Sequence, residues 1–158
     1  MTSQQRAYLA GFLDCDGSIM LQLRARNDVR FKYRVKTTIC FYQKTKHKLV
    51  LEELKNIIGF GYVYDRSDGM TELRIEGHAR VKSVLTKLRR YLKIKYLQAN
   101  LMLKAVKYQE TNIKTPEGLL QISKIADKIS SLNNAPRQRK NHYSSVTADL
   151  ISHGLMSP

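Results

Sequence analysis

Residues 9 to 17 read Leu9-Ala10-Gly11-Phe12-Leu13-Asp14-Cys15-Asp16-Gly17, and this run decides more about the chain than any other. Its first half is small and apolar, the composition of a buried helix. Its second half puts two carboxylates, Asp14 and Asp16, where that helix must end, with Gly17 expected to close it in left-handed backbone. A helix C-terminus already carries partial negative charge, so acids there are disfavoured and Lys or Arg are the usual occupants. Two acids set against the dipole invite a cation, and a hard divalent metal takes oxygen ligands of this kind.

Ala7 and Gly11 lie four residues apart, on one helical face, with Ala10 beside them. A face without bulk lets another backbone come close. If the partner is the same helix of a second copy, the two Asp16 carboxylates converge near the two-fold axis, and like charges that close need metal between them. An EF-hand is excluded, because counting from Asp14 its required glycine falls on Ile19 and its glutamate on Ala25. The two cysteines, Cys15 and Cys40, form no disulfide framework, and the four histidines make no zinc pattern with them.

Charge narrows the partner. The 158 residues hold 28 Lys+Arg against 13 Asp+Glu, a net charge of +15, with 42% hydrophobic residues. That is enough apolar sequence for a folded core, and a folded domain this basic points to nucleic acid. No run approaches the roughly 18 apolar residues of a membrane span, and Tyr8–Leu13 is too short and acid-flanked for a signal peptide.

After Gly17 the period changes to two. Leu21, Leu23 and Ala25 alternate with Gln22, Arg24 and Arg26; past a turn at Asn27-Asp28, Val29, Phe31, Tyr33, Val35, Ile39 and Phe41 alternate with Arg30, Lys32, Arg34, Lys36, Thr38 and Cys40. The expected hairpin has one apolar face and one carrying six cations, with Asp28 the only acid between Gln22 and Thr38. A β-ribbon fits the DNA major groove, where Arg and Gln reach guanine and adenine edges. A helix is predicted over 46–58, closed by Gly59 and with Leu49, Leu51, Leu54, Ile57 and Ile58 apolar. Strands follow near 62–66 and 72–76, placing Tyr64, Arg66, Glu72 and Arg74 on a shared exposed face. Further helices are expected over 79–92, 96–108, from Pro116 to near Leu132, and over 145–153. Arg137, Arg139 and Lys140 make a basic loop suited to clamping phosphates.

The run Leu9–Gly17 resembles the signature of the LAGLIDADG homing endonucleases, of the compact single-motif type that works as a homodimer. The predicted element order, α-β-β-α-β-β-α over about residues 3–95, is the α+β core of that family, in which a curved four-stranded antiparallel sheet sits over DNA as a saddle. The C-terminal helices of about 96–158 would buttress the sheet within a single domain. The resemblance implies a site-specific DNA endonuclease that hydrolyses phosphodiesters with Mg2+ (Mn2+ substituting), cuts a long pseudo-palindromic duplex and leaves short 3′ overhangs. It further implies an intron-borne element within an organelle, a chloroplast more than a mitochondrion.

The same resemblance assigns roles. Asp16 and the Cys15 carbonyl would ligate metal, while Gln43 would order the water network with Lys44 close by. Lys95 would lie beside the scissile phosphate. Asp14 would cap and pack the dimer interface with Ala7, Ala10 and Gly11. His47 stands where the family often has a basic residue organising outer waters, which leaves that role open. Expected DNA contacts are Gln22, Arg24, Arg26, Arg30, Lys32, Arg34, Lys36, Cys40, Lys44, His47, Tyr64, Arg66, Glu72, Arg74, Arg137, Arg139 and Lys140. The competing class is non-catalytic, an RNA-splicing maturase or DNA-binding regulator of the same fold. A general RNA-binding module lacks the aromatic platform that stacks bases.

Overall fold

A computed structural model describes residues 1–111, 115–133 and 141–157. Among them are six α-helices and a four-stranded antiparallel sheet, an α+β fold. Helix α1 (Ser3–Asp16) runs into β1 (Gly17–Ala25); β2 (Tyr33–Lys44) and a 3-10 turn (Thr45–His47) lead to α2 (Leu49–Ile58). Then come β3 (Tyr62–Asp65), β4 (Met70–Glu76), α3 (His78–Leu88), α4 (Tyr96–Thr111), α5 (Pro116–Ser131) and α6 (Tyr143–Ser152). The strands pair in the order β1-β2-β4-β3, so β4 inserts beside β2 rather than β3 doing so. No described helix is long and apolar enough to cross a membrane.

The chain divides into two compact units. The first, residues 1–19 and 37–100, holds α1, α2, α3 and the β2/β4/β3 ladder. Thr2 and Gln5 form a capping box that satisfies free amides at the start of α1. Leu9, Ala10 and Leu13 of α1 join Ile39, Phe41, Leu51, Leu54, Leu73, Ile75, Val81, Leu85 and Leu88 in a core in which each is fully buried. Phe12 meets Phe41 edge-on at 6.1 Å. Each such Leu, Ile or Phe contributes roughly 1.5–3 kcal/mol of transfer free energy. The face of β4 opposite Leu73 and Ile75 carries Glu72 and Arg74.

The second unit, residues 20–36 and 101–157, has its own core of Leu21, Leu23, Tyr33, Val35, Met102, Val106, Leu119, Ile122, Ala126, Ile129, Val146 and Leu150. Thr115 caps α5 by accepting from Gly118 N at 3.1 Å, with Pro116 in its first turn, as the sequence suggests. Asn141 Nδ2 donates to Leu23 O (2.8 Å), and Tyr143 N to Asp127 Oδ2 (2.8 Å), anchoring the start of α6 to strand and helix within this unit. Burial first, then the Asp149 carboxylate, push the Tyr33 hydroxyl up to about 12, so it stays protonated.

Several expectations change. The second strand begins at Tyr33, not Val29. Lys32 adopts φ 60°, its N–H donates to Val29 O (3.0 Å), and Arg26 N donates to Lys32 O (2.7 Å), so residues 27–32 form a turn. Arg30 and Lys32 therefore leave the cationic strand face, and Arg30 lies over the Phe31 ring instead. Helix α2 starts three residues after Lys46, because the 3-10 turn takes up 45–47, and Leu49 is 74% exposed rather than core. Gly59 does close α2 in the left-handed region, at φ 88°.

Gly17 is extended, with φ −130° and ψ 173°, because α1 passes into β1 with no intervening loop. Glycine is needed there for space. A methyl group at Gly17 would sit 2.6 Å from Leu13 Cδ1, 2.8 Å from Leu13 O and 2.9 Å from Cys40 O. Two of those neighbours are backbone and cannot swing away. Gly17→Ala is expected to destabilise the protein by about 1–3 kcal/mol through overpacking, read as a lower urea midpoint. A variant as stable as the parent would refute the close approach.

Candidate metal centre and nucleic-acid interface

The two acids at the end of α1 do different things. Asp14 is buried (6% exposed), and its carboxylate accepts from Lys93 N (2.7 Å), Ile94 N (3.2 Å) and Lys95 N (2.8 Å). These are amides at the entry to α4, where a carboxylate satisfies free donors and complements the dipole. Lys95 Nζ returns to Asp14 O at 2.5 Å, a cation on the negative end of α1. The Asp14 carboxylate thus caps the turn before α4 and ties α1 to its own chain.

Asp16, two residues on, is exposed, and α1 has no basic residue in its last turn. Among the described residues no cation or hydrogen-bond donor engages its carboxylate. In a chain of net charge +15, an acid left open beside a helix C-terminus offers the hard oxygen donor that a divalent ion prefers. Among the described residues no group of three or more His, Cys, Asp or Glu could hold a metal ion.

Other candidates gather at the same helix end. Ser18 and Tyr42 share a hydrogen bond of 2.9 Å between hydroxyls, fixing the start of β1 against the end of β2. Gln43, next to Tyr42, is half-buried, and its Oε1 accepts from Lys44 N at 2.9 Å. Lys44 and His47 are exposed. Lys95 arrives through Asp14. Tertiary pairing therefore brings Lys95 to the end of α1 through Asp14, and Tyr42, the neighbour of Gln43, to the first residues of β1, although these positions stand far apart in sequence.

The outward face of α1 carries Gln4, Ala7, Tyr8, Gly11 and Cys15, all exposed and spaced three or four apart. A methyl group on Gly11 would meet nothing within 4 Å in the chain. Ala10, by contrast, is fully buried in the core of its own chain. Tyr8 (51% exposed), Ile94 (68%), Tyr96 (50%) and Leu97 (44%) add large apolar side chains to the surface of this unit.

On the strands the candidates separate. In the second unit Arg24 is exposed, with Nη2 on Gln22 Oε1 at 3.2 Å, and Arg34 is exposed. Arg26 is taken by Asp28 through two bonds of 2.8 and 2.7 Å, which hold the Asp28 carboxyl down at about 2. Its fork is free for a base only if that pair opens. Lys36 is half-buried.

In the first unit Arg66 pairs with Asp68 at 2.5 Å. Cys40 is fully buried, and burial pushes its thiol up to about 11, so it presents nothing to a partner. Glu72 is 1% exposed, with its carboxylate engaged by Tyr64 and Arg74. Both lie under the side chains that cover this face of the sheet, which removes them as direct contacts. Sequence reasoning missed Tyr62, which is 44% exposed and stacks on Tyr64 with ring centroids 6.0 Å apart. Strand alternation, 62 with 64, was the available signal. Arg137, Arg139 and Lys140 lie outside the described residues.

Comparison with known proteins shows the family and the fold. The family described as LAGLIDADG endonuclease matches residues 9–106. DNA endonuclease I-CvuI of Chlorella vulgaris is 36% identical over 132 residues, covering 84% of this chain and 81% of its own length. DNA endonuclease I-CreI of Chlamydomonas reinhardtii is 34% identical over 145 residues, covering 92% and 88%. The crystal structure of the homing endonuclease I-CvuI in complex with the I-CreI target, with 2 mM Mg and the DNA not cleaved, superimposes with a TM-score of 0.91 at 33% identity, over 97% of this chain and 96% of that one. I-CvuI with its own target in 2 mM Ca gives the same figures. An archaeal intron-encoded homing endonuclease, I-Vdi141I, bound to DNA, shares the fold at a TM-score of 0.84 and 18% identity, over 97% and 98%.

The Asp14 cap has a direct test. Asp14→Ala leaves three amides without their acceptor and should cost about 1–3 kcal/mol. Urea unfolding with amide exchange at Lys93–Lys95 checks it. Unchanged protection there would show that the carboxylate is not what holds the turn.

Proposed function

The chain belongs to the LAGLIDADG endonuclease family, and from that premise we propose a division of labour for its residues. Its activity is site-specific cleavage of DNA. The reading is a homodimer that binds a long pseudo-palindromic duplex and hydrolyses one phosphodiester in each strand, leaving short 3′ overhangs. The observation that carries it is the open Asp16 carboxylate at the end of a helix whose outer face is bare at Ala7 and Gly11.

Asp16, with the Cys15 carbonyl, would hold a divalent ion such as Mg2+, Mn2+ serving as well. When bound, such an ion neutralises phosphate charge and lowers the pKa of water. The chain's own groups do the rest. Gln43 orients the attacking water through its amide. The Lys95 ammonium, already parked at the end of α1, faces charge that develops on the phosphate and the departing 3′-oxygen. Lys44 and His47 lie exposed nearby to receive the backbone. Gln22, Arg24, Arg34 and Arg66, and Arg26 once released from Asp28, read base edges, while Arg137, Arg139 and Lys140 contact phosphates.

A second copy would complete the centre, because each chain brings one open acid to the end of α1. The dimer carries +30, twice the chain's +15, and two Asp16 groups facing each other on the axis make the acidic spot where a polyanion and a cation can meet. Ala7, Tyr8 and Gly11 form that contact; Ala10 and Asp14 support it from inside.

Asp16→Asn keeps the shape and removes the charge. We expect it to abolish cutting of both strands while DNA affinity stays within about threefold, measured by gel shift and by cleavage in Mg2+, each repeated in Ca2+. Cleavage by this variant would remove Asp16 from the metal site, and a parent chain that cuts no site in a randomised library would return the protein to the non-catalytic class. Gly11→Leu should separate the subunits by overlap, seen as a monomer in sedimentation with no cleavage. A dimer that persists would place the interface elsewhere.

A further inference from the structure

Glu72 sets a physical problem. Its carboxylate lies on the β4 face that the reading above turns toward DNA, in a protein of net charge +15. It is 1% exposed. Burying a charge is costly unless it is paired, and a carboxylate close to phosphates subtracts from affinity. Some local gain must offset both.

The register shows what it gains. Glu72 stands opposite Tyr42 on β2 and Tyr64 on β3, and Arg74 stands opposite Cys40 and Tyr62. The Tyr64 hydroxyl donates to Glu72 Oε1. Arg74 Nη2 donates to the same oxygen at 2.5 Å and to the Tyr64 hydroxyl at 3.2 Å. The guanidinium carbon lies 5.6 Å over the Tyr64 ring, and Tyr62 stacks against the other tyrosine. Arg74 Nη1 stands 3.6 Å from Glu76 Oε1. Both Nη2 protons are spent inside the chain, so Arg74 presents a guanidinium held in one orientation rather than a freely swinging fork.

Exposure separates the roles. Tyr64 is 37% exposed and the Arg74 side chain 26%, while Glu72 beneath them is closed off. The acid acts only through the two side chains it holds. Long flexible side chains lose rotamer entropy when they bind; a guanidinium already fixed by a buried carboxylate has lost that freedom before DNA arrives, which sharpens discrimination.

We propose that Glu72 is a positioning residue that locks Arg74 and Tyr64 into one rigid reading element and so sets preference at one base pair of each half-site without touching DNA. The inference rests on the endonuclease reading above. It also explains a carboxylate on a face meant for a polyanion: its charge is neutralised by Arg74, and its yield is specificity rather than affinity.

The test compares the parent dimer with Glu72→Gln, Arg74→Ala and Tyr64→Phe, using binding and cleavage profiles over a target library randomised one base pair at a time. Base preferences in such interfaces are on the order of tenfold or more per position. Glu72→Gln should flatten one position per half-site to within about threefold. Affinity for mismatched DNA should hold or rise, because a negative charge has gone. The cleavage rate on the preferred site at saturating enzyme should stay within about threefold. Arg74→Ala should flatten the same position, and adding Glu72→Gln to it should change nothing further. Tyr64→Phe, which keeps the ring and removes only the hydroxyl on Glu72, should flatten that position in part.

A Glu72→Gln profile identical to the parent's overturns the inference, as does a loss spread evenly over all sequences, the mark of a merely structural role. Flattening by Arg74→Ala and Tyr64→Phe at a position different from that of Glu72→Gln overturns it too. A parent that cuts no site at all overturns the endonuclease reading, an outcome distinct from a cutting parent whose preference ignores Glu72.

Discussion

The structure depends on a junction with no spacer. Helix α1 ends at Asp16 and β1 begins at Gly17, so the last carbonyls of a helix and the first pairing of a sheet share the same few residues. Only a residue without a side chain passes there, since Leu13 and the Cys40 carbonyl press in from either side. The consequence reaches the chemistry. Because no loop intervenes, the negative end of α1 is fixed against the sheet, and whatever sits at 14 and 16 is held with strand precision. Lys95 reaches it only because the buried Asp14 carboxylate collects three amides of the turn before α4.

A second theme is how the chain spends its acids. Asp28 holds Arg26, Asp65 meets Lys48 at 3.1 Å, Asp68 holds Arg66, and Glu72 holds Arg74. Exposed pairs of this sort contribute little stability, about 0–1 kcal/mol each. Their effect is on geometry: they keep cations of the strands and turns from splaying under mutual repulsion while no polyanion is present. Pairs at the surface can open when phosphate competes. The Glu72–Arg74 pair is different because its acid is buried, so it resists exchange. Against this background Asp16 stands out by its place: among the described residues it is an exposed acid with no ion-pair partner at the C-terminal end of α1.

The sequence by itself determined the element order, the two acids at a helix end, the cationic alternation after Gly17 and the cap at Thr115-Pro116. Each is written in spacing or in single residues with strong local preference. It also carried the family, through Leu9–Gly17. It misjudged Gly17 and the start of β2: local preference gave a left-handed glycine and a strand from Val29, whereas the direct α1–β1 passage and the 26–32 turn, both set by pairing across β1 and β2, required extended backbone at one and φ 60° at Lys32.

Only the tertiary structure decided which polar residues face outward. Alternation placed Cys40, Glu72 and Arg74 on one surface, correctly as to side, but it could not say that side chains on that surface cover one another. Tyr64, across the ladder from Glu72, closes over it, and no spacing within one strand reveals a neighbour on another. The same limit hid the separation of Asp14 from Asp16. Two residues apart on a helix they look equivalent, yet one points into the chain, where amides eighty residues later receive it, and the other points out. Periodicity fixes a face; what lies opposite that face is a long-range contact, and burial, pairing and charge follow from it.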